Sequence, residues 1–243
     1  MREPRIFVDC DLQEDSELKL VADTAHYVAT VLRRKVGQKI SLFNGRGSDY
    51  PASIESVSKK EVLVQIASSK QVETESNLRI TLLQGISRAQ HMDYTLQKVV
   101  ELGVHRIVPV FTEFGNLRID DERAQKKWQH WRKILISACE QSGRAYIPEL
   151  AKAQSLTTAL AAQTNSSRMI LHPAAGLSLG SMTAPANSMS ILAGPEGGFS
   201  ENELEQASAQ KFQSIVLGPR VLRTETAAVA AISICQSLWG DMN

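Results

Sequence analysis

The 243-residue sequence has little of what marks secreted, membrane or zinc-binding proteins. It contains three cysteines, Cys10, Cys139 and Cys235, whose odd number and wide spacing indicate neither a disulfide framework nor a zinc motif. No run of about 18 apolar residues is present, so no membrane span is predicted. The first residues include charges and a proline where a signal peptide needs an apolar stretch. These absences predict a cytoplasmic protein without a metal site.

Two common nucleotide-binding motifs are also missing. The sequence contains no G-x-x-x-x-G-K-[ST] and no G-x-G-x-x-G after a predicted strand. Neither an ATP phosphate loop nor a conventional dinucleotide site is therefore indicated. The hydrophobic content of 43% and the charged content of 22% are ordinary for a globular domain, so a core of useful size can form.

The net charge of +1 hides an uneven distribution of charge. Residues 1–23 carry three Lys/Arg against seven Asp/Glu, whereas residues 24–60 carry seven against two. A basic region of this kind favours contact with phosphate groups, and a solvated cluster of charges explains it equally well.

The first 70 residues show the pattern of a small β-domain, a barrel or a sandwich. Alternating apolar residues predict strands, and Asn44-Gly45-Arg46-Gly47 is typical of a hairpin turn. Asp23 or Thr24 is expected to cap a short helix that runs to about Arg33. The polar segment 68–77 is the expected linker. The predicted strands are 38–43, 50–57 and 61–67.

The pattern then changes to alternating strands and helices, which predicts an α/β domain with a parallel sheet. Apolar residues at helical spacing, such as Met92, Leu96 and Val99, indicate helices that bury one face. Ser200 and Glu203 form a capping box that opens another helix. The predicted strands are 78–84, 106–111, 168–171, 189–193 and 214–217, and the predicted helices include 89–102, 120–143 and 224–239.

Three loops follow predicted strands in this second region, at 171–173, 194–199 and 217–226. Ligands of open α/β sheets bind beyond the carboxyl ends of the strands, so these loops are expected to meet there. Glycines in such loops let a ligand approach the backbone closely, although an ordinary structural turn is an open alternative.

The residues of two of these loops resemble paired signatures of the SPOUT methyltransferases. Residues 194–200 read Gly-Pro-Glu-Gly-Gly-Phe-Ser, and residues 217–227 read Leu-Gly-Pro-Arg-Val-Leu-Arg-Thr-Glu-Thr-Ala. Over nearly its full length the chain is similar to the 16S rRNA (uracil-1498-N3)-methyltransferase family, also called RsmE. One departure is residues 87–91, where the family more often has a lysine or an acidic residue. Further matches lie at 4–8, at His26 with 31–37, at 42–45, at 97–98 with 101–104, and at 140–144.

The resemblance implies an architecture and an activity. A PUA-like β-barrel at residues 1–72 would help to hold RNA, and an α/β domain at 73–243 would contain the SPOUT-type parallel sheet with a C-terminal trefoil knot. The enzyme would use S-adenosylmethionine to methylate N3 of uridine 1498 in 16S rRNA of the small ribosomal subunit. It would work as a homodimer, with no membrane and no metal.

The resemblance also implies roles for individual residues. Arg223, which lies in the predicted cofactor loop, is the first candidate to stabilise charge on the uracil, unless it forms a salt bridge with Glu225 or Glu196. Arg144 and Arg33 are the other candidates for this role, from elsewhere in the chain or from a partner subunit. Glu196 would accept a proton or orient a cofactor hydroxyl, unless it only binds backbone N–H groups. The predicted cofactor-binding residues are Leu171, His172, Gly194, Pro195, Glu196, Gly197, Gly198, Leu217, Gly218, Val221, Leu222 and Thr226. The predicted RNA-binding residues are Arg33, Arg34, Lys35, Arg46 and Arg144.

Three other functions remain compatible with parts of the pattern. The chain could be an RNA-binding protein without activity, but its glycine-bearing loops are intact. It could methylate a ribose 2′-hydroxyl or a tRNA instead of a ribosomal uracil. A nucleotide-dependent metabolic enzyme has only the α/β pattern in its favour.

Overall fold

The computed structural model describes residues 3–58, 60–115 and 121–242, which divide into two compact units. The first unit consists of Met1–Glu75 and Cys139–Ile147. The second consists of Ser76–Ala138 and Pro148–Asn243. The segment Cys139–Ile147, which falls within the predicted second domain (73–243), belongs to the first unit.

The first unit is built on a six-stranded mixed sheet in the order β1-β3-β4-β5-β2, with β6 paired to β4. Only the β1–β3 pair is parallel, and the predicted hairpin joins β3 to β4. Alternation along β5 buries Val62, Val64 and Ile66 in the core. The strands are β1 Arg5–Phe7, β2 Glu17–Val21, β3 Lys39–Phe43, β4 Ser48–Val57, β5 Glu61–Ile66 and β6 Lys70–Gln71.

The helix of this unit does not begin with the predicted cap. α1 spans Ala22–His26 and continues as a π-helical turn over Tyr27–Val31. Its N-cap is Val21, which makes no side-chain capping bond. Ala25 and Val28 are buried in the core, so packing rather than a capping side chain supports this segment.

A buried arginine joins the segment Cys139–Ile147 to the sheet of the first unit. The Arg5 guanidinium lies 4.3 Å from the centre of the Phe43 ring and pairs with Asp49 at 2.7 Å. Its Nη1 donates to the Cys139 carbonyl at 2.6 Å, and its Nη2 donates to the Arg144 carbonyl at 3.1 Å. The buried guanidinium is therefore surrounded by an acidic partner and two backbone carbonyl acceptors, as a buried charge requires.

The second unit is the predicted α/β domain with a parallel sheet in the order β10-β8-β7-β13-β11-β14-β12, and β9 pairs with β8. All of its strand pairs are parallel, as predicted. The trefoil knot stays a prediction from the family resemblance. The strands are β7 Arg79–Gly85, β8 Arg106–Phe111, β9 Glu149–Leu150, β10 Gln154–Ser155, β11 Ser167–Leu171, β12 Leu177–Ser178, β13 Ser188–Ala193 and β14 Gln213–Val216.

The helices of the second region also match their predicted positions closely. Both hydrogen bonds of the capping box between Ser200 and Glu203 are present. Position 120, the predicted start of the long helix, lies outside the described residues. The helices are α2 Ala89–Glu101, α3 Asp121–Ser142, α4 Leu156–Ala161, α5 Glu201–Ala209 and α6 Thr224–Trp239.

Gln236 anchors the last helix to the connection after α2. Its side chain is completely buried, and its Nε2 donates to the Leu102 carbonyl at 3.0 Å. Its Oε1 accepts a hydrogen bond from the Ser76 hydroxyl at 2.7 Å. Because both ends of the amide are satisfied, a polar residue is accommodated in the interior here.

The Arg5–Asp49 pair provides a test of the first unit. Asp49→Ala leaves the Arg5 charge buried without its counter-ion, so we expect the free energy of unfolding to fall by about 3–5 kcal/mol. Urea denaturation measures this change.

The control is Glu61→Ala, which breaks the exposed pair between Lys19 and Glu61. Exposed pairs contribute little, so this variant should lose less than about 1 kcal/mol. An equal loss in the two variants would contradict the structural importance of the buried pair.

Candidate active site

A cavity of about 570 Å³ lies at the carboxyl ends of β11, β13 and β14. Its volume falls within the range of about 300–1,000 Å³ that small-molecule sites occupy. It lies entirely within the second unit. It is lined by His91, Leu171, His172, Pro173, residues 194–199, residues 215–217, Arg220, Val221, Leu222, Arg223, Thr224, Glu225 and Ala227.

The three loops predicted to meet do meet at this cavity. Leu171 ends β11, residues 194–199 follow β13, and residues 217–225 follow β14. β11 lies between β13 and β14, with both neighbours parallel to it. Their carboxyl ends therefore face the same edge of the sheet, which explains why loops distant in sequence share one site.

Glycine is required where the backbone turns tightly beside the cavity. Gly198 has a φ of 72°, a conformation that other residues rarely adopt. A Cβ at Gly197 would lie 2.7 Å from the Cβ of Phe114. A Cβ at Gly85 would lie 2.6 Å from Cδ of Pro195. Close backbone contacts therefore set the shape of the turn at 194–198.

A buried hydrogen-bond network joins two of the three loops. The Thr224 hydroxyl donates to the Gly194 carbonyl. Nε2 of Gln84 donates to the Thr224 hydroxyl at 3.3 Å and to the Gly85 carbonyl at 3.0 Å. Ser87 adds a hydrogen bond from its hydroxyl to the Gly85 carbonyl at 3.2 Å. The start of α6 is thus fixed against the turn after β13 and the end of β7.

Glu196 binds a backbone N–H group, one of the two roles that the sequence left open for it. Its Oε1 accepts a hydrogen bond at 2.9 Å from the backbone N–H of Arg88, the N-cap residue of α2. The Glu196 side chain is otherwise exposed at the cavity. One carboxylate oxygen is therefore engaged by the protein.

Arg223 lies at the cavity as the N-cap residue of α6, and its side chain is exposed. The salt bridge with Glu225 or Glu196, the alternative left open by the sequence, does not occur. Glu225 instead faces His91, with 3.0 Å between its Oε1 and Nδ1 of the histidine. In the part of the chain that the structure describes, the Arg223 guanidinium has no acidic partner.

Two of the predicted cofactor-binding residues do not line the cavity. Gly218 has a φ of 83° and shapes the turn after β14. Thr226 is exposed in the first turn of α6, whereas Thr224, Glu225 and Ala227 of the same turn reach the cavity. The other predicted cofactor-binding residues line the cavity.

The predicted RNA-binding residues all belong to the first unit. Arg33 and Lys35 are exposed, and Arg34 is half-buried. Arg33 has a φ of 51° and lies just beyond the π-helical turn. Arg46 is exposed and pairs with the exposed Asp11. These side chains remain accessible to solvent.

The predicted RNA contact of Arg144 needs correction. Its side chain is only 4% exposed, and its Nε donates to Oε1 of Glu75 at 2.9 Å. Its carbonyl accepts a hydrogen bond from Arg5. The guanidinium is therefore neutralised inside the first unit and does not present its charge to solvent.

Sequence reasoning missed several residues of the site. His91 comes from α2, in the segment that departs from the family pattern, and Gln84 and Gly85 end β7. Thr224 and Arg220 lay within a recognised loop, but nothing in their spacing separated them from their neighbours. Only the fold shows which of these side chains reach the cavity.

The residues of the cavity and the fold around it define an RNA methyltransferase. A family model for an RNA methyltransferase domain matches residues 74–236, and one for an RNA methyltransferase PUA domain matches residues 22–67. The ribosomal RNA small subunit methyltransferase E of Buchnera aphidicola from Acyrthosiphon pisum is 36% identical over 239 residues, covering 98% of this chain and 94% of the relative. The chain belongs to the ribosomal RNA small subunit methyltransferase E family.

Solved structures agree with this assignment. A ribosomal RNA small subunit methyltransferase E from Neisseria gonorrhoeae, bound to S-adenosylmethionine, has a TM-score of 0.93 and 36% identity, and the match covers 100% of both chains. A Legionella pneumophila protein with bound S-adenosylmethionine has a TM-score of 0.96 and 41% identity, covering 99% of this chain and 100% of that one. The predicted fold class, a parallel-sheet methyltransferase domain preceded by a PUA-like domain, is thereby confirmed, and the knot stays a prediction.

Two further observations concern membranes and metals. Over the described ranges, no helix has the length and apolar character needed to cross a membrane. Among the same residues, no group of three or more histidine, cysteine or acidic side chains is arranged to hold a metal ion.

Burial raises the pKa of the Cys139 and Cys235 thiols to about 12, so both are protonated at neutral pH.

The close contact at Gly85 provides a test of the site's shape. Gly85→Ala places a methyl group against Pro195 and forces the turn at 194–198 to move. We expect the free energy of unfolding to fall by about 1–3 kcal/mol, as for other overpacked interiors, and thermal or urea denaturation measures it.

Gly176→Ala is the matched control, because a Cβ at Gly176 has nothing within 4 Å. Its effect should stay within about 0.5 kcal/mol. A Gly85 variant as stable as this control would contradict the tight packing described here.

Proposed function

We propose that this protein transfers a methyl group from S-adenosylmethionine to N3 of a uridine in 16S rRNA of the small ribosomal subunit. By family resemblance, the target is uridine 1498. The observation that carries the proposal is the single cavity formed by the two signature loops. Membership of the ribosomal RNA small subunit methyltransferase E family supports the same activity.

The cavity suits S-adenosylmethionine. Leu171, Leu217 and Leu222 provide apolar walls for the adenine. The turn at 194–198 presents backbone groups to the same space, and three of its residues are glycines with no Cβ that would block a ligand. Glu196 lies at the cavity with one oxygen bound to the protein, so its other oxygen can orient a ribose hydroxyl. When bound, the cofactor supplies a methyl group attached to a positively charged sulfur.

Arg223 supplies the electrostatic part of the mechanism. Uracil N3 becomes nucleophilic only when it loses its proton, and the resulting negative charge spreads onto O2 and O4. A guanidinium near these oxygens stabilises the charge as it develops. Arg223 lines the cavity and has no acidic partner among the described residues, so its charge is available for this role.

The position of N3 sets a requirement for the RNA. N3 lies on the Watson–Crick edge, so the target uracil must be unpaired or extruded from a helix. In our proposal the PUA-like region, residues 1–72, holds the flanking RNA, and residues 73–243 carry out the transfer. The exposed side chains of Arg33, Lys35 and Arg46, with the half-buried Arg34, would contact phosphates.

We also propose that the enzyme works as a homodimer in the cytoplasm, as the family resemblance implies. Ile234 and Leu238 of α6 are 39% and 50% exposed, and apolar side chains exposed on one helix favour burial against a second copy. Size-exclusion chromatography with light scattering gives the mass in solution.

The role of Arg223 is tested with small subunits that lack the modification. Arg223→Ala should lower the single-turnover rate by about 10²–10³-fold, because a preorganised charge at the developing oxyanion is lost. Mass spectrometry of the digested RNA should show N3-methyluridine for the wild type. Calorimetry should show an almost unchanged affinity for S-adenosylmethionine.

Lys152→Ala is the control for charge, since it removes an exposed cation from the same unit outside the cavity. Its rate should match the wild type. Full activity of Arg223→Ala would contradict the assigned role. Absence of N3-methyluridine with the wild-type enzyme would contradict the proposed function.

The RNA-binding assignment is tested by changing Arg33, Arg34 and Lys35 together to alanine. RNA affinity should fall, and the slope of log affinity against log salt should flatten by about 0.7–0.9 for each phosphate group that the variant no longer neutralises. Binding of S-adenosylmethionine should not change. The exposed Lys19 and Lys70, changed together to alanine, are the control. Unchanged RNA affinity in the triple variant would remove the assignment.

A further inference from the structure

We propose that His91 accepts the N3 proton of the target uracil and that Glu225 positions the His91 imidazole. The inference rests on the proposed function, because that reaction requires a proton acceptor. His91 belongs to the first turn of α2 and Glu225 to the first turn of α6. Both residues line the cavity that the signature loops form.

The geometry of the pair determines which nitrogen is available. Nδ1 of His91 lies 3.0 Å from Oε1 of Glu225. A carboxylate beside Nδ1 favours the tautomer that carries its hydrogen on Nδ1, which leaves the lone pair on Nε2. Nε2 has no hydrogen-bond partner within the described ranges. The imidazole is therefore held as a proton acceptor with its reactive nitrogen unoccupied.

Burial of Glu225 strengthens this arrangement. Its side chain is 13% exposed, against 30% for His91, and its Oε2 is buried with no hydrogen-bond partner among the described residues. A carboxylate in such surroundings interacts strongly with a positive charge that forms beside it. Protonation of His91 creates that charge, so Glu225 stabilises the protonated imidazole as well as orienting the neutral one.

The other titratable groups at the cavity are less suited to this role. Glu196 has one oxygen bound to the Arg88 N–H, and a carboxylate is in general a weaker base than an imidazole. No carboxylate pairs with the His172 ring within the described part of the chain, so nothing there fixes its tautomer. The pairing with Glu225 distinguishes His91 from both.

The proton transfer balances without a further reactant. The N3–H bond breaks as an Nε2–H bond forms on His91. The electron pair left on N3 forms the bond to the methyl carbon as the carbon–sulfur bond breaks. The proton on His91 then passes to water, which restores the imidazole.

The test uses His91→Asn in the full-length protein with unmodified small subunits. The asparagine amide places a donor near the former Nδ1, so the contact with Glu225 is retained while Nε2 is removed. At neutral pH the single-turnover rate should fall by about 10²–10⁴-fold, the usual contribution of a general base. The affinity for S-adenosylmethionine and the melting temperature should remain close to those of the wild type.

The pH profile separates a proton acceptor from a structural contact. Hydroxide can remove the N3 proton in the variant, so the rate of the variant should keep rising with pH. At high pH the wild-type rate should therefore exceed the variant rate by a smaller factor. Glu225→Gln should give a smaller loss in rate with the same cofactor affinity, and it serves as a second variant should His91→Asn fold poorly. The other titratable groups that line the same cavity are His172, Glu196, Arg220 and Arg223.

Three outcomes decide against the inference. A wild-type rate for His91→Asn at all pH values would overturn it. A loss that is the same at every pH, or that accompanies weaker cofactor binding, would make the pair a structural contact and would also overturn it. If the wild-type enzyme formed no N3-methyluridine, the proposed function itself would fail, and this inference with it.

Discussion

The site depends on the Thr224 hydroxyl, which connects the two signature loops. It donates to the Gly194 carbonyl and accepts from the Gln84 amide, so the start of α6 is held between the turn after β13 and the end of β7. These three groups lie in a largely buried network, where hydrogen bonds are strengthened by the low dielectric and unpaired groups are costly. This connection fixes the start of α6, from which Arg223 and Glu225 reach the cavity.

Much of the fold could be predicted because burial leaves a periodic trace in the sequence. Alternation identified β5, and spacing of three and four residues identified α2, with bounds close to those observed. The two-residue strands β9, β10 and β12 are too short to show any period. The predicted cap of α1 was wrong. Ala25 and Val28 support that helix by packing, whereas a capping residue indicates only local hydrogen bonds.

The loops of the site could be predicted, but its side-chain partnerships could not. Parallel strands bring their carboxyl ends to one edge, so the loops after β11, β13 and β14 had to meet once the sheet was identified. Contacts such as His91 with Glu225 join residues that are far apart in the chain, and no local pattern records them. Arg144 shows the reverse error, because a basic residue in a family motif is buried and neutralised by Glu75.

The role of each of these arginines depends on whether the fold places a carboxylate beside its guanidinium. Arg5 and Arg144 each receive a carboxylate in the first unit, and both become structural. Arg223 has a carboxylate only two residues away in the sequence, but Glu225 is turned towards His91. The contact that positions His91 therefore also leaves Arg223 without a counter-ion among the described residues. A single pairing between α2 and α6 thus provides the cavity with an oriented imidazole and an uncompensated positive charge, the two features on which the proposed removal of the uracil proton depends.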